Sequence, residues 1–172
     1  MTDSAEAVSE KEIDDTETRE FLTFMLAGEE YGVDILRVQE IKGWDTVTNI
    51  PNTPEYIRGV INLRGTIVPI IDMRLRFDLK QLEYGATTVV IVLKVEKKDG
   101  IVRTMGVVVD AVSDVHDVPT NQIKASPDFG TTVDTEFVKG LATVGEKMVI
   151  VLDIDHMLNE DELGSLEKVM DV

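Results

Sequence analysis

Short apolar runs of strand length, set off by turn residues, recur along this chain. Phe21–Leu26 reads as a strand. The turn at Gly28-Glu-Glu30 leads it into a second, Tyr31–Leu36, which alternates as a half-buried strand does. Thr66–Ile71 is apolar and β-branched, and Pro69, which has no amide donor, predicts an edge or a bulge there. Thr87–Val95 carries the strongest strand signal, and Lys97-Lys-Asp-Gly100 turns it into a hairpin partner, Val102–Val109. Met148–Leu152 is a further core strand. Helical signals are few. Thr53-Pro-Glu55 offers a capping hydroxyl ahead of a proline, with Gly59 placed to end the turn. Near the end, Asn159 can cap Glu160-Asp-Glu162, and Leu163, Leu166 and Met170 fall on one face, which predicts a helix over about 159–170.

A weak internal repeat runs through these elements. Tyr31-Gly-Val33, Val38, Glu40 and Ile41 return 74 positions later as Met105-Gly-Val107, Val112, Asp114 and Val115. Tyr56-Ile-Arg-Gly-Val60 returns 81 positions later as Phe137-Val-Lys-Gly-Leu141, and Asp72 and Asp153 each close an apolar strand. Order and spacing are both kept. The simplest reading is two similar β units of about five short strands each. Units this small bury little core alone, so they should pack together and leave a seam where a partner can bind.

Composition narrows the picture. The 172 residues include no cysteine, which excludes a disulfide framework, a cysteine-ligated zinc site and a thiol nucleophile. The start is polar and acidic, unlike a secretory signal, and the longest apolar run is far short of a membrane span. A cytoplasmic location is expected. The net charge of −16 argues against nucleic-acid binding. Much of it sits at the ends: residues 1–19 hold seven acids and two bases, and residues 159–172 hold five acids and one base. The first 19 residues have only Val8 and Ile13 as bulky apolar side chains and read as a disordered acidic tail. The expected organisation is therefore that tail, an ordered domain over 20–158, and a C-terminal helix and tail over 159–172.

Catalytic signatures are missing. There is no phosphate-binding glycine loop, so the apolar strands ending in Asp72, Asp110 and Asp153 read as aspartates capping turns. His116 and His156 lie forty residues apart in no shared motif. No catalytic residue, metal ligand or cofactor is expected. Binding signals are better: Trp44 beside a strand end, Phe129 in Ser126-Pro-Asp-Phe-Gly130, and Arg64 in Asn62-Leu-Arg-Gly65, a cation that needs a partner such as Glu40.

Several stretches together resemble the CheW family of chemotaxis coupling proteins. They are Glu30-Tyr-Gly-Val-Asp-Ile-Leu36, Val38-Gln-Glu-Ile41, Gly59-Val-Ile-Asn-Leu-Arg-Gly-Thr-Ile-Val-Pro-Ile-Ile-Asp72, Thr88-Val-Val-Ile-Val92 and Gly106-Val-Val-Val-Asp-Ala-Val-Ser-Asp114. The resemblance implies a mainly β fold of two five-stranded SH3-like barrels sharing a hydrophobic core. It implies an adaptor, without enzymatic activity, that couples the cytoplasmic hairpin tips of chemoreceptors to the regulatory domain of the histidine kinase CheA. It also implies a place in receptor arrays, with further CheW copies as possible neighbours. By motif match, Val38, Glu40, Arg64, Val89, Gly106, Val112 and Val115 look like the receptor-binding surface and its support. Val47, Lys124, Asp128 and Phe129 look like kinase contacts. The same fold also serves as a regulatory module in the kinase itself and in receiver-fused coupling proteins, and a chain of this length offers no room for those additional domains. The 96–104 hairpin is longer than the resemblance leads one to expect, and neither it nor the acidic tails receives a role.

Overall fold

A computed structural model describes residues 17–97, 100–125 and 137–158. Nearly all regular structure in them is β. Strands β3 (Val38–Gly43), β4 (Ile57–Leu63), β5 (Thr66–Asp72), β6 (Val89–Glu96) and β7 (Val102–Val109) form one sheet, in the order β3-β6-β7-β5-β4. Its two edges meet. Thr48, a few residues past β3, exchanges backbone hydrogen bonds of 2.9 and 2.8 Å with Val60 of β4, closing a five-stranded barrel. The second sheet holds β1 (Thr18–Leu26), β2 (Glu29–Asp34), β8 (Ala111–Pro119), β9 (Ile123–Lys124), β10 (Val138–Val144) and β11 (Lys147–Leu152), in the order β8-β1-β2-β11-β10-β9. Its edge strands β8 and β9 follow one another through the 3-10 turn Thr120–Gln122, so they act as one bent strand that closes a second barrel.

Three apolar clusters follow from the alternation. Leu63, Val68, Ile70, Val90, Val92 and Val108 fill the β3–β7 barrel. Phe21, Val118, Ala142 and Val151 fill the other. The largest cluster lies between the barrels and includes Leu22, Phe24, Tyr31, Ile91, Leu93, Met105 and Val107. Strand β6 therefore sends Val90 and Val92 into its own barrel and Ile91, Leu93 and Val95 into the shared core. Burial on both faces is why its sequence is a continuous apolar run rather than an alternating one.

The internal repeat is visible in the hydrogen-bond registers. Val38 lies opposite Leu93 and Ile41 opposite Ile91, while Val112 lies opposite Phe24 and Val115 opposite Leu22. The parallel pairing of β2 with β11 matches that of β7 with β5. The amide of Asp72 donates to the Tyr56 carbonyl at 2.7 Å, and that of Asp153 donates to the Phe137 carbonyl at 2.8 Å. Each aspartate then caps a one-turn helix, α1 (Met73–Arg76) or α2 (Ile154–Met157). The units, however, are not the barrels. The repeats run β1 to α1 and β6 to α2, and each gives its leading hairpin to the other's barrel. Strands β1 and β2 complete the sheet of β8–β11, and β6 and β7 complete the sheet of β3–β5. At the seam the Arg76 guanidinium sits over the equivalent rings Tyr56 and Phe137, at 5.1 and 4.5 Å, and donates to the Met157 carbonyl at 3.0 Å.

Several sequence expectations change. Thr53 caps no helix: its hydroxyl donates to the Ile50 carbonyl at 3.0 Å, and strand β4 begins at Ile57. Gly59 ends no turn but sits inside β4 at a register shift, with φ +142. Pro69 is in an interior strand rather than at an edge, and the expected alternative, a bulge, lies beside it, where the β4–β5 register shifts between Ile57 and Gly59. Pro69 is tolerated because Val60, opposite it, directs its own amide and carbonyl to Thr48, and on its other side the parallel pairing with β7 begins only at Ile70, so neither neighbour asks a donor of Pro69. The second strand stops at Asp34, and Ile35–Arg37 forms a 3-10 turn. The helix expected over about 159–170 and most of the acidic tail lie outside the described residues, and β1 begins at Thr18.

Candidate protein-interaction site

The side chains singled out for receptor contact sit on four strands and one turn. Val38, Val89 and Val112 are half-buried, and all three pack on the margin of the inter-barrel core. Val38 and Val112 occupy equivalent places in the two repeats. Three residues further along the same strands, Ile41 and Val115 are 43% and 42% exposed. The 3-10 turn before β3 adds Leu36, 81% exposed. A rim of aliphatic side chains thus surrounds a shared core. Ile41 and Leu36 belong to this rim although neither was chosen from sequence; Ile41 could have been found, because it is the repeat partner of Val115.

Gly106 has a different place. It is buried in β7, and a Cβ built there would lie 2.7 Å from Ile70 Cδ1 and 2.9 Å from Val90 Cγ1. It supports the β6–β7–β5 packing behind the rim and makes no surface of its own.

Glu40 and Arg64 form an ion pair. Arg64 occupies the tip of the β4–β5 hairpin, where Arg64 and Gly65 take φ values of +51 and +89, the signature of a tight two-residue turn. The Asn62 side chain accepts the Gly65 amide at 2.8 Å and fixes that turn. Since β3 and β4 are the two edges of the sheet, the Arg64–Glu40 pair spans the barrel's closure. The Arg64 side chain remains 69% exposed, so its charge is still presented to solvent.

Besides an exposed Arg19–Asp34 pair, two further ion pairs form bidentate clamps that the sequence does not announce. Arg74 grips Asp110 with two hydrogen bonds of 2.8 and 2.6 Å, and the same carboxylate accepts the Ala27 amide at 2.9 Å. Arg37 grips Asp155 at 2.7 and 2.6 Å, and that carboxylate accepts the Glu96 amide at 2.8 Å. Asp110 and Arg37 lie in the links β7–β8 and β2–β3, while Arg74 and Asp155 lie in α1 and α2. The two clamps are therefore equivalents with the charges exchanged. Burial by itself would raise both carboxyls; the arginine hydrogen bonds, the backbone donors and the nearby positive charge outweigh it and hold them below the usual carboxylate range.

The kinase candidates are spread over both barrels. Val47 is half-buried against the β3–β7 barrel interior. Lys124 is exposed on β9, opposite Leu141. The carbonyl of Thr48, next to Val47, faces Gly59 as that of Lys124 faces Gly140, so these two candidates also sit in equivalent neighbourhoods. Asp128 and Phe129 lie outside the described residues. Trp44 lies against Tyr84, ring centroids 4.3 Å apart, with the Arg58 guanidinium 5.7 Å from the Tyr84 ring. It covers the end of the β3–β7 barrel.

A cavity of about 170 Å³ beside Tyr84 gathers polar groups that invite a chemical reading. Those groups are already engaged. The Tyr84 hydroxyl donates to Asp72 at 2.5 Å, and Arg74 and Asp110 hold each other. Burial, then Asp72, pushes the Tyr84 hydroxyl well above its ordinary range, so it stays a donor. Among the described residues no group of three or more His, Asp or Glu side chains is placed to hold a metal ion, and no helix is long and apolar enough to cross a membrane.

Comparison with known proteins identifies the family and the fold. The family model described as the CheW-like domain matches residues 20–162. The chemotaxis protein CheW of Klebsiella aerogenes is 48% identical over 155 residues, covering 90% of each chain. The CheW of Rhizobium meliloti is 34% identical over 84% of this chain and 90% of its own. Among solved structures, the scaffolding protein TtCheW from Thermoanaerobacter tengcongensis superposes with a TM-score of 0.73 at 35% identity, covering 84% of this chain and 90% of that one.

Proposed function

The chain belongs to the CheW-like family, and from that premise we propose that it is a chemotaxis coupling adaptor that acts by binding alone. Its partners are the cytoplasmic hairpin tips of chemoreceptors and the regulatory domain of the kinase CheA, and it joins them in membrane-associated arrays while itself remaining in the cytoplasm. The observation that carries this reading is the aliphatic rim. Val38, Val89 and Val112 pack on one core and Ile41 and Val115 stand out from it, which suits the apolar face of a receptor helix. Glu40 and Arg64 flank the rim with an exposed cation that fixes register. Val47, Lys124, Asp128 and Phe129 serve the kinase face. Two modest faces on one rigid body then cooperate through multivalency, and no reaction is needed.

Receptor co-sedimentation tests the assignment. Val38→Asp, and Ile41→Glu at the more exposed neighbour, should each lose receptor binding about tenfold or more while keeping the wild-type circular dichroism spectrum. A folded Ile41→Glu protein that binds receptor fragments normally would sink the receptor face. Phe129→Ala should weaken capture of the purified kinase regulatory domain more than it weakens receptor binding.

A further inference from the structure

The two barrels are built alike, but their mouths differ. The first barrel, β3–β7, is covered by the segment that leads from α1 to β6. Tyr84 of that segment packs on the barrel's interior cluster, lies against Trp44 and donates its hydroxyl to Asp72. The same place on the second barrel is a cavity of about 290 Å³, lined by Phe21, Ile123, Val151 and Leu152, with Arg19 and Lys139 at its rim. The registers establish the correspondence. Phe21 pairs with Asp34 as Val90 pairs with Val108, and Val151 pairs with Gly32 as Ile70 pairs with Gly106. Ile123 faces Gly140 as Val47 faces Gly59. Val118 follows Asp117, opposite Glu20, as Trp44 follows Gly43, opposite Val89, so a smaller side chain stands in the place of the tryptophan.

The repeat also identifies what can cover the second mouth. Tyr84 lies seven residues beyond Phe77, which closes α1. Leu158 closes α2 in the same way, its amide donating to the Ile154 carbonyl as that of Phe77 donates to Met73. Fourteen residues follow, and the seventh is Ser165, flanked by Leu163 and Leu166. The first of them, Asn159, holds the place of Asp78, whose φ of +60 is a conformation that asparagine also adopts at low cost. Lys139 holds the place of Arg58, whose guanidinium lies 5.7 Å from the Tyr84 ring. Arg19 and Lys139 against Asp34 leave 2 − 1 = +1 around the cavity, while the segment carries −4, with Glu160-Asp-Glu162 leading.

We propose that the C-terminal segment Asn159–Val172 closes the mouth of the second barrel of its own chain. Leu163 and Leu166 cover the surface of Phe21, Ile123, Val151 and Leu152, and the leading acids pass beside Lys139 and Arg19. The reach is that of the first repeat: eight residues lead from Leu158 to Leu166, against seven from Phe77 to Tyr84. The acidic N-terminal segment is the competing occupant, since it enters β1 at Thr18 beside the same mouth. Tyr84 precedes Thr88 by four residues, and Thr88 corresponds to Arg19. The four residues before Thr18 are Asp14-Asp-Thr-Glu17, which bring no apolar side chain to an apolar cavity.

The absence of cysteine gives a direct test. Oxidation of the full-length Lys139→Cys/Leu166→Cys protein should form an intramolecular disulfide, a monomeric band on a non-reducing gel, about tenfold faster than a Lys139→Cys/Ile13→Cys control. Ile13, five residues from Thr18, has the shorter tether, so free chain ends would favour the control. Adding Leu163→Asp to the first pair should slow it severalfold while the circular dichroism spectrum stays that of the wild type. A control pair that closes as fast or faster would overturn the proposal and give the mouth to the N-terminal segment. Predominantly dimeric product would overturn it in favour of a second copy. A rate indifferent to Leu163→Asp would overturn it as well, because tethering alone would then account for the disulfide.

Discussion

A Cβ on residue 59 would lie 2.3 Å from the Thr48 carbonyl oxygen and 2.9 Å from its carbon, and φ there is +142. Both obstacles are backbone, and Thr48 is fixed by the two hydrogen bonds that close the barrel. Gly59→Ala should therefore cost about 2 kcal/mol or more, read as a lower urea midpoint with an unchanged slope. Gly140, its repeat partner, faces the Lys124 carbonyl at 2.6 Å without a comparable φ, so Gly140→Ala should cost less. A Gly59→Ala protein as stable as wild type would show that this closure is soft. The pair of glycines was legible in the repeat, but their reason was not. Thr53-Pro54 ahead of Gly59 mimics a helix start and stop, whereas the requirement comes from Thr48, which approaches across the barrel rather than along the chain. Gly106 is similar: motif matching placed it with the receptor-binding surface and its support, and it is the packing of Ile70 and Val90 that puts it on the support side.

Between elements, the two clamps tie what the strand ladders leave loose. Asp110 links α1, through Arg74, to the turn between β1 and β2, through the Ala27 amide. Its carboxyl is held below the ordinary range in the folded chain, so protonation favours unfolding. The stability it contributes is fully present above the unfolded carboxylate range and is lost as pH falls below about 4. Asp155 acts in the same sense. Asp110→Asn leaves Arg74, whose side chain is 13% exposed, without its counter-charge and should cost about 1–3 kcal/mol at neutral pH. It should also flatten the loss of stability on acidification. Urea midpoints across the acid range check both effects, and an unchanged acid slope in the Asp110→Asn, Asp155→Asn double variant would refute the attribution. Apolar runs exposed β1, β2, β5, β6, β7 and β11 to sequence reading, whereas β3, β4, β8, β9 and β10, whose apolar positions are interrupted by polar and charged ones, were not read as strands. The clamps stayed hidden. Arg74 and Asp110 are 36 positions apart, Arg37 and Asp155 are 118 apart, and an aspartate at a strand end reads locally as a turn cap whatever lies across from it.

At the scale of the molecule, the repeat showed two units and a seam but not which hairpin joins which barrel. A strand's apolar face looks the same whether its neighbours come from its own unit or from the other. The exchange has a consequence for folding. Residues 17–78 contain β1–β5 and α1, yet β1 and β2 pair only with each other and with β8 and β11, while β3 lacks β6 and β5 lacks β7. Neither repeat can close a barrel or bury the shared core by itself. A chain cut in the segment between α1 and β6 should yield two fragments that are each unfolded alone. Mixed, they should recover the wild-type β spectrum, with a melting temperature that rises with fragment concentration. Independent folding of either fragment would mean that a hairpin can return to its own unit, and the exchange would then not be obligatory. If complementation holds, Val38 from one repeat and Val112 from the other come into place only in the same cooperative event. Partial unfolding of either half should then remove receptor binding and kinase binding together, which surface plasmon resonance on the nicked protein at increasing urea can resolve.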